Sequence, residues 1–320
     1  MQQIIIMNST QVLFLTLGAY FDTKLLKYLF FLVVLCLYVL IIGSNIVLIV
    51  VICVNRSLHE PMYMFLCSLF VNELYGSTAL FPLLLVQILS NVHAIAAPLC
   101  FLQIFCIHSY VTVEFFILAV MSYDRYVAIC YPLRYKAVMR AKRISVLTSA
   151  SWFAAFLLVI IMTSLSFSLQ LCGSIINKVY CNNYSIVKLA CSDTTVNNIY
   201  GLISTALSVF LPVCLILYTY MRILKVCFSG SKQTRQKAVG TCTPHLASII
   251  NFCVGCVFEI IQSRFNMSSV PRVLQILLSL YFLTFPSLFN PVMYGLNVSK
   301  IRNLCKNLFL KCFDCFKNKK

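Results

Sequence analysis

The chain is written as long apolar stretches broken by short polar ones. Tyr28–Val54, Ile144–Asn177, Thr194–Met221, Ala238–Phe258 and Val273–Ser299 contain no Asp, Glu, Lys or Arg; Pro61–His93 holds only Glu73 and Cys100–Tyr123 only Glu114. About 20 consecutive apolar residues cross the hydrocarbon of a bilayer as a helix. The pattern therefore predicts an all-α membrane protein, a seven-transmembrane helix bundle with helices at about 25–54, 58–90, 97–130, 141–165, 195–226, 236–263 and 271–296. Residues 1–24 are expected to form an N-terminal tail, 25–297 the bundle, and 298–320 a short amphipathic helix with a basic tail. Pro82, Pro212, Pro286 and Pro291 fall inside spans, where neighbouring helices can satisfy the freed carbonyls. Met1–Ile6 carries no basic segment and no cleavage site follows, so the first span is expected to act as its own insertion signal.

Composition agrees with the pattern. Of 320 residues, 61% are hydrophobic and 10% charged, where soluble domains carry about 25% charged residues. A water-soluble globular protein is thereby excluded. The net charge of +17 would suggest a nucleic-acid partner in a soluble protein. Here the basic residues avoid the spans and the partner is the lipid bilayer, with no nucleic acid expected. Of the 25 Lys and Arg, 19 fall in the segments that are cytoplasmic if the N-terminus lies outside, from Arg56 through Arg125, Arg134 and Arg143 to Lys320. That asymmetry sets the orientation as N-terminus out, C-terminus in. Asn8, in Asn8-Ser9-Thr10, is then an extracellular glycosylation acceptor.

Charges inside hydrocarbon cost several kcal/mol and mark functional positions. Glu114 precedes Arg125 by 11 residues, about 16 Å along a helix, which puts it near mid-membrane. Glu73, Asn45 and Asn290 fall at similar depth, and carboxylates plus amides suit a shared proton or a hard monovalent cation. A purely structural hydrogen-bond network is the plainer alternative. No other cofactor is suggested: a sodium ion held by Asn45, Glu73, Glu114 and Asn290 is the one candidate. Glu259 and Arg264 lie near the outer end of helix six, five residues apart and so not facing each other. Arg264 either snorkels to the interface or caps an extracellular pocket for an anionic group. His108, with Thr112 one turn below, lies in the outer third of helix three; His245 lies in the inner part of helix six. Cys100, Cys172, Cys181 and Cys191 face the oxidising side, where three pairings are open. Cys305, Cys312 and Cys315, beside basic residues, are palmitoylation candidates.

Five stretches now resemble a family: Met121-Ser122-Tyr123-Asp124-Arg125-Tyr126-Val127-Ala128-Ile129-Cys130-Tyr131-Pro132; Leu58-His59-Glu60-Pro61-Met62-Tyr63-Met64-Phe65-Leu66; Leu189-Ala190-Cys191-Ser192-Asp193; Lys237-Ala238-Val239-Gly240-Thr241-Cys242-Thr243-Pro244-His245-Leu246; and Asn290-Pro291-Val292-Met293-Tyr294-Gly295. Their order on seven spans is similar to that of vertebrate olfactory receptors, rhodopsin-like G-protein-coupled receptors, over about residues 20–310. The resemblance implies a plasma-membrane receptor of sensory cilia that binds a small odorant from outside. It would activate a heterotrimeric G protein of the stimulatory, cAMP-raising type by outward movement of helix six. Asp124, Arg125, Tyr126, Tyr220, His245, Asn290, Pro291 and Tyr294 would form the switch. Disulfides Cys100–Cys181 and Cys172–Cys191 are implied in the same way. Ser263-Arg264-Phe265 resembles the fish-like subgroup, some members of which hold carboxylate odorants with that arginine. Departures are Glu73 where an aspartate is commoner and Cys253 where helix six often has an aromatic.

A mostly apolar outward pocket is expected from Ile104, Ile107, His108, Val111, Thr112, Ser204, Ser208, Val257, Ile260, Arg264 and Leu283. An amine held by Glu259 is the alternative to a carboxylate ligand. A non-olfactory rhodopsin-like receptor for a small metabolite is the alternative function. A transporter relaying ions through Glu73 and Glu114 is a remote one, because the chain has no repeated halves. No nucleophile–base or paired metal-ligand set suggests an enzyme.

Overall fold

The computed structural model describes residues 13–20, 25–229, 232–264 and 270–306, with the side chains of 232–239, 241, 264 and 272 also left aside. Asn8, Cys312 and Cys315 lie outside the described residues, as does the side chain of Arg264. Among the described residues, seven helices are long and apolar enough to span a bilayer. They are α1 (Leu26–Val54), α2 (Pro61–Leu89), α3 (Ala97–Cys130), α4 (Ala141–Phe167), α5 (Thr195–Ser229), α6 (Lys232–Arg264) and α7 (Arg272–Asn297). Residues 299–306 are again helical.

Burial orders the bundle. The most apolar stretch of α3 is 61% buried and that of α4 only 17%, so α3 is the axis and α4 a peripheral strut. Leu, Val and Ile on α1, α4 and α5 stay exposed, among them Leu32, Leu157 and Leu215; in lipid such faces need no partner. Inside α5, Ala206–Phe210 forms a π-turn. Pro212 lacks the N–H that would bond back to residue 208, and the widened turn sets Ser208 inward, 7% exposed.

The outer end is closed by a feature absent from the sequence reading. Phe14–Leu17 (β1) pairs antiparallel with Ala94–Ala96 (β2) and parallel with Ile175–Ile176 (β3), in the order β2-β1-β3. Part of the expected N-terminal tail is thus a strand. Leu15 and Leu17 alternate inward and pack with Ile95, Ile176 and the Cys100–Cys181 disulfide. A second disulfide, Cys172–Cys191, closes the base of the long loop. Of the three pairings left open by position alone, this is the one formed.

Two glycines set helix spacing. A Cβ on Gly255 of α6 would lie 2.7 Å from the Cα of Phe282 on α7, and one on Gly76 of α2 would run into the Tyr110 ring of α3. Gly43, by contrast, has nothing within 4 Å. Gly255→Ala is therefore expected to destabilise by about 1–3 kcal/mol through overpacking against backbone, and Gly43→Ala to be near neutral or better. Thermal unfolding of the two variants in detergent checks this; equal midpoints would show that α6 and α7 are not in close contact.

Candidate functional site

Three polar layers line the bundle from outside to inside. The outer one joins the long loop to α6. Cys181 is tied to Cys100 at the start of α3 with a Cα–Cα separation of 5.5 Å, and its N–H donates to Gln103 Oε1 at 2.9 Å. These anchors hold Lys178, Tyr180 and Asn182 over the bundle mouth. The Lys178 ammonium pairs with Glu259 Oε1 and donates to Ser263 Oγ at 3.1 Å. Asn182 accepts the Ser185 N–H at 2.9 Å, capping a short loop helix, while its Nδ2 donates to Glu259 Oε1 at 3.3 Å. Oε1 is thus saturated. Glu259 Oε2 and the Tyr180 hydroxyl are both buried with no hydrogen-bond partner. His108 Nδ1 donates to Ile104 O at 3.1 Å, and the ring is within electrostatic reach of Glu259 and Lys178.

Of the residues expected to frame the pocket, Ile104, Ile107, Thr112, Ser204, Ser208 and Leu283 are buried and His108 and Val111 half-buried. Val257 and Ile260 are a correction: they are 52% and 46% exposed and face lipid. The inward row of α6 is Ile249, Phe252, Cys256, Glu259 and Ser263, the three-and-four spacing of one helix face. The sequence reading missed Lys178, Tyr180 and Asn182. The signal was their closeness to Cys181, since a disulfide to the top of α3 brings its neighbours over the mouth. Two surface grooves flank the bundle, one between α1, α2 and α7 and one between α2 and α3. Neither is lined by a residue expected to frame the ligand.

The middle layer joins α2, α3 and α7. Glu73 Oε2 accepts from Tyr110 Oη at 3.0 Å and Ser287 Oγ at 2.6 Å; Glu73 Oε1 accepts from Asn290 Nδ2 at 2.6 Å. Glu114 Oε1 accepts from the same Asn290 Nδ2 at 3.3 Å, and Glu114 Oε2 from Asn72 Nδ2 at 2.9 Å. Both carboxyl groups are fully buried. Asn45 is a second correction: its Nδ2 donates to the carbonyls of Ile41 and Ser287 at 2.8 and 2.9 Å, not to either carboxylate. Asn72 also enters, unanticipated. The Oδ1 atoms of Asn72 and Asn290, whose amide nitrogens bond the two carboxylates, are buried without donors, and such oxygens are of the kind a hard cation takes.

The inner layer joins side chains at the cytoplasmic ends of the helices. Arg125 pairs with its neighbour Asp124, and Tyr135 donates to Asp124 Oδ1 at 2.8 Å. Asp124 is fully buried. Tyr220 Oη on α5 and His245 Nδ1 on α6 lie 2.6 Å apart, so these helices are joined at the inner rim. Tyr294 of α7 is fully buried with its ring edge-on to Phe70, centroids 6.3 Å apart. Tyr126 stands apart from these contacts, its hydroxyl 3.3 Å from that of Tyr131. Lys300, beyond α7, pairs with Glu60 at 2.9 Å. Cys305 is half-buried against the core.

Comparison with known proteins agrees with this arrangement. The sequence profile of the olfactory receptor family matches residues 34–312. Human olfactory receptor 52K1 is 35% identical over 277 residues, 85% of this chain and 87% of that protein. Human olfactory receptor 51E1 is 34% identical over 274 residues, 85% and 86% of the two chains. Mouse olfactory receptor 6E1 is 36% identical over 262 residues, 81% and 83%. The crystal structure of squid rhodopsin superposes with a TM-score of 0.73 at 18% identity, covering 92% of this chain and 84% of that one, a likeness of fold. The chain belongs to the olfactory receptor family: it is a multi-pass plasma-membrane receptor of the seven-helix, G-protein-coupled kind, signalling rather than catalytic.

Proposed function

We propose that this receptor takes a small, mostly apolar odorant bearing one hydrogen-bond donor in the chamber between α3, α5, α6 and the long loop. In this proposal it couples to the stimulatory, cAMP-raising G protein of olfactory cilia. The observation that supports the ligand class is Glu259 Oε2, a buried acceptor without a donor beside an already saturated Oε1. A hydroxyl or amine placed between it and Tyr180 completes the carboxylate's bonding. A hydroxyl does so without adding a second cation beside Lys178. The carboxylate reading rests on Arg264 and His108 and competes with it.

The mechanism follows from the layers. The ligand's grip on Glu259 acts on α6 at its outer end, and α6 reaches the inner rim at His245. Outward movement of α6 parts His245 from Tyr220, loosens the contact beneath α3, and frees the donors of Arg125 for the G protein. In the middle layer, Glu73 and Glu114 share one proton or one sodium ion, with Asn290 and Asn72 as further ligands. Such an ion would supply the charge that two adjacent buried carboxylates need.

Three outcomes are expected. In cells reporting cAMP, Asp124→Asn raises ligand-free signal several-fold, and adding Arg125→Ala on that background returns it to the vector level at equal surface expression. A signal unchanged by both would remove the lock from the account. In a panel of small alcohols, amines and acids, Glu259→Gln weakens the best alcohol or amine roughly 10–100-fold, the loss of a charge-assisted bond. If acids are the potent class and Arg264→Ala alone abolishes them, the anion reading replaces this one. Exchange of sodium for a bulky organic cation shifts basal signal in wild type and leaves Glu114→Gln unmoved; indifference in both proteins would leave only a structural network.

A further inference from the structure

The larger of the two flanking grooves has a chemistry of its own. It encloses about 990 Å³ between α1, α2 and α7 in the outer half of the bundle. Its floor is buried apolar surface, Phe81 and Leu84 of α2, 2% and 4% exposed. Its walls are Val33 and Phe30 of α1 and Leu277 and Phe285 of α7, all more than 40% exposed. In a bundle crossing a bilayer, exposed apolar walls mean that the groove opens sideways into lipid. Along α7 the lining runs from Val273 to Leu288, 15 residues or about 22 Å of helix. One leaflet of hydrocarbon is about 15 Å thick, so a single long acyl chain fits the length.

The outer rim is polar and unmatched. Lys27 donates to Asn91 Oδ1 at 3.1 Å and has no carboxylate partner among the described residues. His93 Nδ1 is buried without a hydrogen-bond partner, its ring stacked on Tyr20 at 4.6 Å. Both residues line the groove. A cation and an unsatisfied ring nitrogen at the mouth of one apolar channel match a single anionic head on a single apolar tail. A sterol hydroxyl would leave the ammonium charge uncompensated, and a two-chain phospholipid needs a second channel.

We propose that this groove is a lateral binding site for a long-chain fatty acid, entered from the outer leaflet and separate from the odorant chamber. The carboxylate pairs with Lys27 and takes a hydrogen bond from His93; the chain lies along α7 toward Leu288.

The test uses the purified full-length receptor in nanodiscs and a photoactivatable 18-carbon fatty acid. Label is expected on peptides of α1 and α7, competed by oleic acid and at least tenfold less by oleyl alcohol. Lys27→Gln weakens capture roughly tenfold, the loss of one bond to a charged group. Leu280→Trp, which fills the channel, abolishes it while the unfolding midpoint is retained. Label spread evenly over all lipid-facing helices, or equal competition by acid and alcohol, would overturn the proposal in favour of bulk lipid. Competition by cholesterol instead of oleic acid would overturn it in favour of a sterol. Capture unaffected by both variants would remove the site.

Discussion

Two carboxyl groups buried at one depth in the membrane impose the condition that the rest of the bundle meets. Glu73 and Glu114 have no exposure, and one amide, Asn290 Nδ2, reaches both. Left ionised and unmatched, they would repel each other and cost far more than a marginally stable bundle can supply. The fold answers by converging donors from three helices: Asn72 on α2, Tyr110 on α3, Ser287 and Asn290 on α7. A proton or a sodium ion shared there would leave a single negative charge for these donors to hold. Gly76 belongs to the same solution, because only a glycine lets the Tyr110 ring approach α2 so closely.

That junction divides the receptor into an outer and an inner machine. Outside, a disulfide-pinned loop places Lys178 against Glu259 of α6, whose second carboxylate oxygen is buried without a partner. Inside, Asp124 occupies Arg125 while Tyr220 and His245 bind α5 to α6. Among the described residues the two halves are joined by the long helices, α6 carrying Glu259 at its outer end and His245 toward its inner end.

The spans, their orientation and the mid-membrane acids were legible in the sequence because each is a one-dimensional signal: length without charge, counts of Lys and Arg, a carboxylate where none should be. What depends on azimuth was not. Val257 and Ile260 looked as suitable for the pocket as Phe252 and Cys256, since α6 is apolar on both its lipid face and its bundle face. Asn45 shares the depth of the acids but turns to the carbonyls of Ile41 and Ser287. The outer sheet escaped notice because strands of two to four residues leave no period to read. Lys178 and Tyr180 lie in a loop whose position is decided by a distant disulfide, a tertiary fact with no local trace.

The junction depends on whether the buried pair of acids binds a proton or a cation. Infrared difference spectroscopy on the purified receptor reads a protonated carboxyl group directly, through its carbonyl stretch and the shift of that band in heavy water. In sodium-free buffer a buried acid band is predicted, weakened by added sodium and lost in Glu114→Gln. A spectrum without such a band, unchanged by sodium and identical in the variant, would contradict the shared charge and with it the junction at the centre of this structure.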